Sequence, residues 1–361
     1  MTNEEIKHET LTTGSPESVI PPVIYHYCSL ETFKAIIENK TLRLSDITRS
    51  NDSEEIRYIV NIINTIFHGV YDNDNNKAFK RYISWDYFQE KLGYRLMSTF
   101  DKDYSTMSYF VMCFSKERDM LSQWRGYADD GIGVSIGFDT ELILNLISAK
   151  DIDIRLESVV YDPLKQQDKI QQDIHEAYDH IKHGVLDALE WKESINPSKE
   201  EDFCKSIFSF YCDRYIDDIS RLTYIAPFFK SPFFKEEKEV RLCYKFNRNK
   251  IYQKLADDDN SCLTSNVPLG SGAYLKDVNY VLNQDGMKFY RDICFKDDKF
   301  NNIIHSVILG PKCKASTDEI AVMLEKNGFS VKPDAYTSLG TVMYASDNRK
   351  IEIIPSSGTY R

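Results

Sequence analysis

Glu239 and Arg241 are the first side chains in this sequence whose types and spacing could do chemistry. They stand two positions apart in Glu-Val-Arg-Leu-Cys-Tyr-Lys-Phe, an alternation of polar and apolar residues that predicts a strand over 239–246. Residues two apart in a strand face the same side, so the carboxylate and the guanidinium can meet. The pair is then either a structural ion pair or a carboxylate that Arg241 holds where positive charge develops in a reaction.

A second group of candidate side chains, Trp124, Arg125 and Tyr127, falls within four residues of sequence. Aromatic rings stack on planar ligands and a guanidinium binds phosphate, so the group suits a nucleotide. The competing interpretation is that Trp124 anchors the hydrophobic core.

The strand predicted over 132–138 follows this group and has two unlike faces. One face carries three large apolar residues, and the other carries only Gly133, Ser135 and Gly137. Glycine inside a strand marks either the close approach of a ligand or the close packing of a neighbouring element. Both interpretations stay open, and Ser135 is a candidate ligand contact.

His26 and Tyr27 end a short strand predicted from Val23, just before a helix that Ser29 can cap. Side chains at such a strand end can reach the rim of a pocket. They can equally form a structural pair, because histidine is common in both settings.

The elements that must position these residues predict an α+β fold, with a mixed β-sheet core and flanking helices. Apolar residues spaced three and four apart over 166–192 and again over 203–219 predict two amphipathic helices. We interpret 165–222 as a helical hairpin inserted between strands of the sheet. We expect residues 1–20 to form a flexible leader and 21–361 to form a single α+β domain that contains this insertion.

Composition narrows the class of protein. The chain has 361 residues, 42% of them hydrophobic, so a sizeable core can form. Its formal net charge of -11 argues against broad nucleic-acid binding, because an acidic surface repels phosphate. The start of the chain does not resemble a secretory signal, and no apolar run is long enough to span a membrane, so we expect a cytoplasmic protein.

The eight cysteines form no Cys-x-x-Cys pair and no zinc-type cluster, so we expect buried free thiols and no metal site. The phosphate-binding P-loop, the dinucleotide glycine fingerprint and the hydrolase Gly-x-Ser-x-Gly motif are also missing. The familiar sequence motifs therefore assign no reaction.

In order along the chain, several motifs resemble those of the bacterial domain of unknown function 2971 family. They are Tyr25-His26-Tyr27, Asn51-Asp52-Ser53-Glu54-Glu55, Cys113-Phe114-Ser115, Trp124-x-x-Tyr127-Ala128-Asp129, Gly133 to Phe138, Phe229-Lys230 with Glu236, Glu239, Val240 and Arg241, Ile308 to Cys313, and Tyr360-Arg361. The resemblance spans 23–361. Many members of that family have histidine where this chain has Gly126.

By analogy, the motif order is also similar to that of ADP-ribosyltransferases, and this similarity implies NAD as the donor of ADP-ribose. Glu239, His26 and Tyr127 would then be catalytic. Glu239 would stabilise an oxocarbenium-like transition state while Arg241 orients it, and His26 would contact the adenosine-side ribose. The residues implied to hold NAD are Tyr27, Trp124, Arg125, Ser135 and Arg241. Tyr27 or Tyr127 would stack on nicotinamide, and Arg125 would bind the pyrophosphate.

The alternative function is a non-enzymatic module that senses a ligand or binds a protein through the same pocket. Such a module would present the 165–222 hairpin to a protein partner. The two functions differ in what the geometry must provide, because a transferase requires His26, Tyr127 and Glu239 to converge on one cleft.

Overall fold

The computed structural model describes residues 19–47, 53–100, 107–148, 152–190, 199–247, 266–283, 286–295, 299–332 and 350–358. The predicted leader up to residue 18 and the Asn51-Asp52 turn lie outside these ranges. The division into a leader and one domain therefore stays a prediction.

A mixed sheet forms the centre of the fold, which confirms the predicted α+β class. Its strands are β1 (Val23–Cys28), β2 (Thr41–Asp46), β3 (Met107–Ser115), β4 (Val134–Asp139), β5 (Ile154–Ser158), β6 (Glu239–Asn247), β7 (Val267–Pro268), β8 (Ala273–Leu275), β9 (Asn279–Asn283), β10 (Gly286–Phe295), β11 (Ile304–Leu309) and β12 (Glu352–Pro355). The main path runs β12-β11-β4-β1-β3-β2-β10-β8-β7, while β6 pairs with both β3 and β5, and β9 with β10. Only β11 and β12 pair in parallel among these strands.

Helices flank the sheet. They are α1 (Leu30–Asn39), α2 (Ser53–Asn73), α3 (Lys77–Tyr82), α4 (Trp85–Phe100), α5 (Leu121–Tyr127), α6 (Thr140–Leu146), α7 (Pro163–Glu190), α8 (Glu200–Ile225), α9 (Lys299–Ile303) and α10 (Thr317–Lys326). Ser29 caps α1 through the Thr32 amide, and Ser316 and Glu319 form a capping box at the start of α10. Residues 72–104 are polar and aromatic and predict no clear element, yet α3 and α4 both lie entirely within them.

The main core lies against one face of the sheet and contains the apolar alternate residues of its strands. Val134, Ile136 and Phe138 of β4 pack there with Phe114 of β3 and Val240 of β6. This arrangement follows from the two-residue period of a strand, which sends every second side chain to the same face. The opposite face of the same strands is more polar and carries most of the candidate residues.

The inserted helical hairpin is α7 and α8, which lie in sequence between β5 and β6. These two strands are antiparallel neighbours, so the hairpin interrupts a connection within the sheet. A second core joins its helices to α2 and α4 through residues such as Phe67, Phe88 and Tyr178. None of the described helices combines the length and apolar character needed to cross a bilayer.

Candidate functional site

The polar face of the sheet brings Glu239 and Arg241 of β6 next to β3. In the antiparallel ladder Cys113 pairs with Arg241, and Ser115 pairs with Glu239. All four side chains point to the face opposite the main core, because they alternate with the core residues Phe114 and Val240 of the same strands.

Glu239 and Arg241 form a buried, bidentate ion pair. Arg241 Nε donates to Glu239 Oε1 at 2.7 Å, and Arg241 Nη2 donates to Oε2 at 3.0 Å. The exposed fraction is 5% for Glu239 and 2% for Arg241. Arg241 Nη1 also donates to the Pro227 carbonyl at 2.7 Å, so the pair fastens the segment before β6 to the sheet.

The carboxyl group of Glu239 is held in its ionised form. Burial alone would raise its pKa, but the charges of Arg241 and Lys230 and hydrogen bonds from Arg241 and Cys113 lower the pKa to about 2. Lys230 Nζ lies 3.4 Å from Glu239 Oε2. Both carboxylate oxygens are therefore bound by cationic groups of the chain.

Lys230 and Glu237 extend this pair to the surface, where they meet Tyr127. Lys230 Nζ donates to Glu237 Oε2 at 2.7 Å, and the Tyr127 hydroxyl donates to Glu237 Oε1 at 3.0 Å. Burial first and then the charge of Glu237 raise the pKa of Tyr127, whose side chain is nevertheless about half exposed. A continuous polar chain thus runs from Tyr127 on α5 to Arg241 inside the sheet.

Cys113 is exposed, although it lies in the middle of a long strand. The edge of β3 opposite β6 is shared between two strands, because β1 pairs at Ser115 and β2 pairs at Phe110 and Val111. Cys113 lies where these two strands part. We name the exposed surface at Cys113, next to Glu239 and Arg241 of β6, the Cys113 opening.

The exposure of Cys113 and the partial exposure of Cys313 correct the prediction of buried thiols at these two positions. Cys28, Cys204, Cys212, Cys243 and Cys294 are buried as expected. The sequence pattern Val-Met-Cys-Phe is typical of a buried strand, and it contains no signal that two neighbouring strands diverge beside it. The part that Lys230 and Glu237 play was also missed, since they lie in an irregular segment without periodicity.

His26 lies on the other face of the sheet, next to the place where β1 and β2 part. Its Nδ1 donates to the Cys113 carbonyl at 2.9 Å, and its ring packs edge-on against Phe114 of the main core. Burial lowers its pKa, and the hydrogen bond to the Cys113 backbone opposes this shift. His26 satisfies a backbone carbonyl that the parted strands leave without a ladder partner, so it does not converge with Tyr127 and Glu239.

Tyr27 and Trp124 pack together beneath α5. Their rings meet edge-on at 4.7 Å, and both are nearly completely buried. The Tyr27 hydroxyl donates to the Glu117 carbonyl at 2.8 Å and accepts from the Met120 amide. Trp124 therefore takes the core-anchoring role that the sequence left open, while Arg125 on the same helix is exposed.

The bare face of β4 is filled by the chain itself. A Cβ on Gly137 would overlap Ser306 Oγ and come within 3.0 Å of the Tyr25 ring. A Cβ on Gly133 would overlap the Cys28 carbonyl, and Ser135 between them is completely buried. Close packing thus explains both glycines, and Ser135 has no exposed surface to offer a ligand.

Asp119 fastens the segment 356–358 next to α5. Its carboxylate accepts hydrogen bonds from Trp124 Nε1, Ser356 Oγ, and both the amide and the hydroxyl of Ser357, each at 2.7 Å. Burial would raise the pKa of Asp119, but these hydrogen bonds lower it below the usual 3.8. The group therefore contributes stability that is present above pH 3.8 and is lost as the pH falls through the lowered pKa.

We expect Asp119→Asn to accelerate hydrogen exchange at the Ser357 amide at neutral pH by about tenfold or more, since hydrogen bonds to charged acceptors are the stronger ones. Exchange measured by NMR or mass spectrometry checks this. Asp139→Asn, which alters the cap of α6 through the Leu142 amide, is the control and should leave Ser357 protected. Equal protection of Ser357 in both variants would contradict the role of Asp119.

Comparison with known proteins adds one family. Residues 123–242 match the family model described as protein of unknown function (DUF2971). No curated protein and no solved structure matches the chain. The matched segment includes Trp124, Tyr127, Lys230 and the Glu239–Arg241 pair, and it confirms the resemblance for the motifs that lie within 123–242.

Proposed function

We propose that this chain, whose residues 123–242 match the DUF2971 family model, is a binding module that holds a small polar ligand in the Cys113 opening. The observation that carries the proposal is the exposure of Cys113 at the point where β1 and β2 part, although β3 pairs with β6 along its whole length. A central strand of a packed domain ordinarily has either both faces buried or one face exposed to solvent along its whole length. From an exposed residue beside the 2% exposed Arg241 we infer a local concave site, and such sites are where ligands bind.

The groups around the opening suit recognition better than catalysis by Glu239. Using Glu239 as a catalytic group would require a ligand to displace Arg241 or Lys230 from its oxygens. Uncompensated charge in a buried site is costly, so the network favours its present pairing. The Tyr127 ring and the Cys113 thiol remain at the surface side, where they can meet a ligand.

The ligand chemistry that fits these groups is a planar polar molecule of nucleotide size. Tyr127 offers an exposed aromatic face, and Arg118 and Arg125 are exposed cations on the same stretch of chain. Aromatic stacking and guanidinium–phosphate contacts are the usual means of holding such molecules. A nucleotide is accordingly the first ligand to test.

The exposure of Cys113 predicts that the cysteines differ in their rates of alkylation. We expect N-ethylmaleimide to modify Cys113 at least about tenfold faster than the buried Cys204 and Cys243, because exposure governs access to the thiol. Peptide mapping by mass spectrometry measures each rate separately. NAD, ADP-ribose and ATP are then added in turn, and a bound ligand should slow only the reaction of Cys113.

Two variants make this experiment decisive. Cys113→Trp should fill the opening and abolish the thermal shift that a bound nucleotide produces, whereas Gly126→Ala on the neighbouring helix has open space for its methyl group and should retain it. Slow modification of Cys113, or no nucleotide that protects it, would contradict the proposal.

A second candidate function is ADP-ribosyl transfer from NAD, which the ionised state of Glu239 favours. A carboxylate that keeps its charge beside the thiol at the floor of the opening could stabilise an oxocarbenium-like transition state. In this proposal Tyr127 stacks on nicotinamide and Arg125 holds the pyrophosphate. His26 lies across the sheet, so its proposed ribose contact has no geometric support.

Release of labelled nicotinamide from NAD tests this second candidate. Nicotinamide release should be lost in Glu239→Gln. It should be strongly reduced in Tyr127→Ala, a surface variant that keeps the buried Glu239–Arg241 pair intact. If NAD binds and protects Cys113 but no nicotinamide is released, the proposal of a binding module stands and the proposal of a transferase is contradicted.

A further inference from the structure

A cleft of about 440 Å³ lies between α2 and α7, and Cys113, Glu239 and Arg241 are not among its lining residues. Ile66 and Val70 of α2 line its floor. The α7 side carries Gln167, Gln171 and His175, which are all exposed. We name this feature the α2–α7 cleft.

The polar side chains along α7 form a regular row. Gln167, Gln171 and His175 follow one another at intervals of four residues, which on a helix places them on one face about 6 Å apart. Within the part of the chain that the structure describes, none of the three has a hydrogen-bond or ionic partner. Each glutamine therefore presents both donor and acceptor to whatever enters the cleft.

This spacing matches an extended peptide. Extended backbone rises about 3.3 Å per residue, so equivalent peptide groups on one side recur about every 6.6 Å. A side-chain amide offers one acceptor and two donors, which complement the N–H and C=O groups of a peptide unit. A row of amides at helical spacing can therefore bind alternate peptide groups of one strand.

The facing wall on α2 leaves room for such a strand. Thr65, Gly69 and Asn73 line it at the same four-residue interval. Gly69 lies well inside the helix, where glycine is unfavourable, and a Cβ placed on it would meet nothing within 4 Å. The absent side chain widens the cleft at its middle, as the close approach of another backbone requires.

The charge at one end of the cleft selects the kind of peptide. Asp74 and Asp179 lie there with Lys182, whose Nζ is 3.3 Å from Asp74 Oδ2 and 3.0 Å from Asp179 Oδ1. Two carboxylates share one ammonium group, and Asp179 is half exposed, so this end has an excess negative charge. A basic side chain on the bound peptide would neutralise it.

We propose that the α2–α7 cleft is a docking site for an extended, basic peptide segment of a partner protein. The row on α7 binds its main chain, Gly69 admits its backbone, and the Asp74–Asp179 end accepts a lysine or arginine. The cleft lies partly on the hairpin predicted to face a protein partner, and this proposal is independent of the ligand in the Cys113 opening.

Panning a random 12-residue phage-display peptide library on the immobilised full-length chain tests the proposal. The enriched peptides should contain lysine or arginine, and one is synthesised and measured by fluorescence polarisation. Gln171→Ala should weaken its binding by about tenfold, the loss expected for hydrogen bonds to one peptide group. Gly69→Met, which fills the cleft, should abolish binding.

The matched control is Gln172→Ala, one position along α7. Gln172 already donates to Glu176 on the exposed side of the helix, so its loss should leave the affinity unchanged. Enriched peptides without basic residues, equal affinity for the Gln171 and Gln172 variants, or an unenriched library would each overturn the proposal. Thermal denaturation of every variant separates lost binding from lost folding.

Discussion

Arg241→Ala is expected to lower the free energy of unfolding by about 3–5 kcal/mol, the usual effect of removing one partner of a buried ion pair. The reason is that Glu239, 5% exposed, would keep its charge with only Lys230 at 3.4 Å to compensate it. The Pro227 carbonyl would also lose its donor, and the segment before β6 would lose its attachment to the sheet. Urea denaturation followed by circular dichroism measures the change.

The control for this prediction is Arg43→Ala at the surface. Arg43 Nε donates to Asp292 at 2.9 Å, but its side chain is 52% exposed, so water replaces the lost contact and the effect should stay below about 1 kcal/mol. A cost of similar size at both arginines would contradict the importance of burial at Arg241.

The pH dependence of the free energy of unfolding of the wild-type protein follows from the same Glu239–Arg241 pair. The pKa of Glu239 falls from 4.5 to about 2 on folding, so its contribution to stability is complete above pH 4.5 and is lost as the pH falls toward 2. Denaturation at several pH values in this window should show a smaller loss of stability in Glu239→Gln than in the wild type.

Gly133→Ala is expected to lower the free energy of unfolding by about 3 kcal/mol, at the upper end of the usual cost of overpacking. The new methyl group would overlap the Cys28 carbonyl and lie 3.1 Å from the Ala128 carbonyl. Both neighbours are backbone atoms and cannot rotate away, so β1 and the turn before β4 must move. Thermal and urea denaturation measure the effect.

Gly126→Ala provides the comparison within the same stretch of chain. A Cβ at Gly126 meets nothing within 4 Å, and alanine favours the helix, so stability should rise by between zero and about 1 kcal/mol. Opposite signs at the two glycines are the expected result. Equal tolerance of both substitutions would mean that β4 is not packed as tightly as its glycines indicate.

The sequence predicted the elements whose periodicity and capping are local. The apolar stripe and Ser29 cap of α1, the capping box of α10 and the hairpin of α7 and α8 all follow from residues a few positions apart. The shared face of Glu239 and Arg241 also follows from strand alternation. These features depend on short-range geometry that one sequence contains.

What the sequence could not predict depends on contacts between distant segments. Alternation places His26 and Tyr27 on opposite faces, but only the sheet order reveals which face holds the core. The exposure of Cys113 results from the parting of β1 and β2, which share one edge of β3. Lys230 and Glu237 join the site through tertiary contacts that no local pattern encodes.

The pairing of β2 with β10 has a consequence for folding kinetics. Arg43 and Asp292, which join the two strands, are separated by 249 residues. Such long-range contacts slow folding, and during synthesis β2 must wait for almost the whole described chain before its partner emerges. Although β3 can pair with one edge of β2 earlier, the edge that faces β10 is exposed in that interval, so we infer that the nascent chain depends on protection from aggregation.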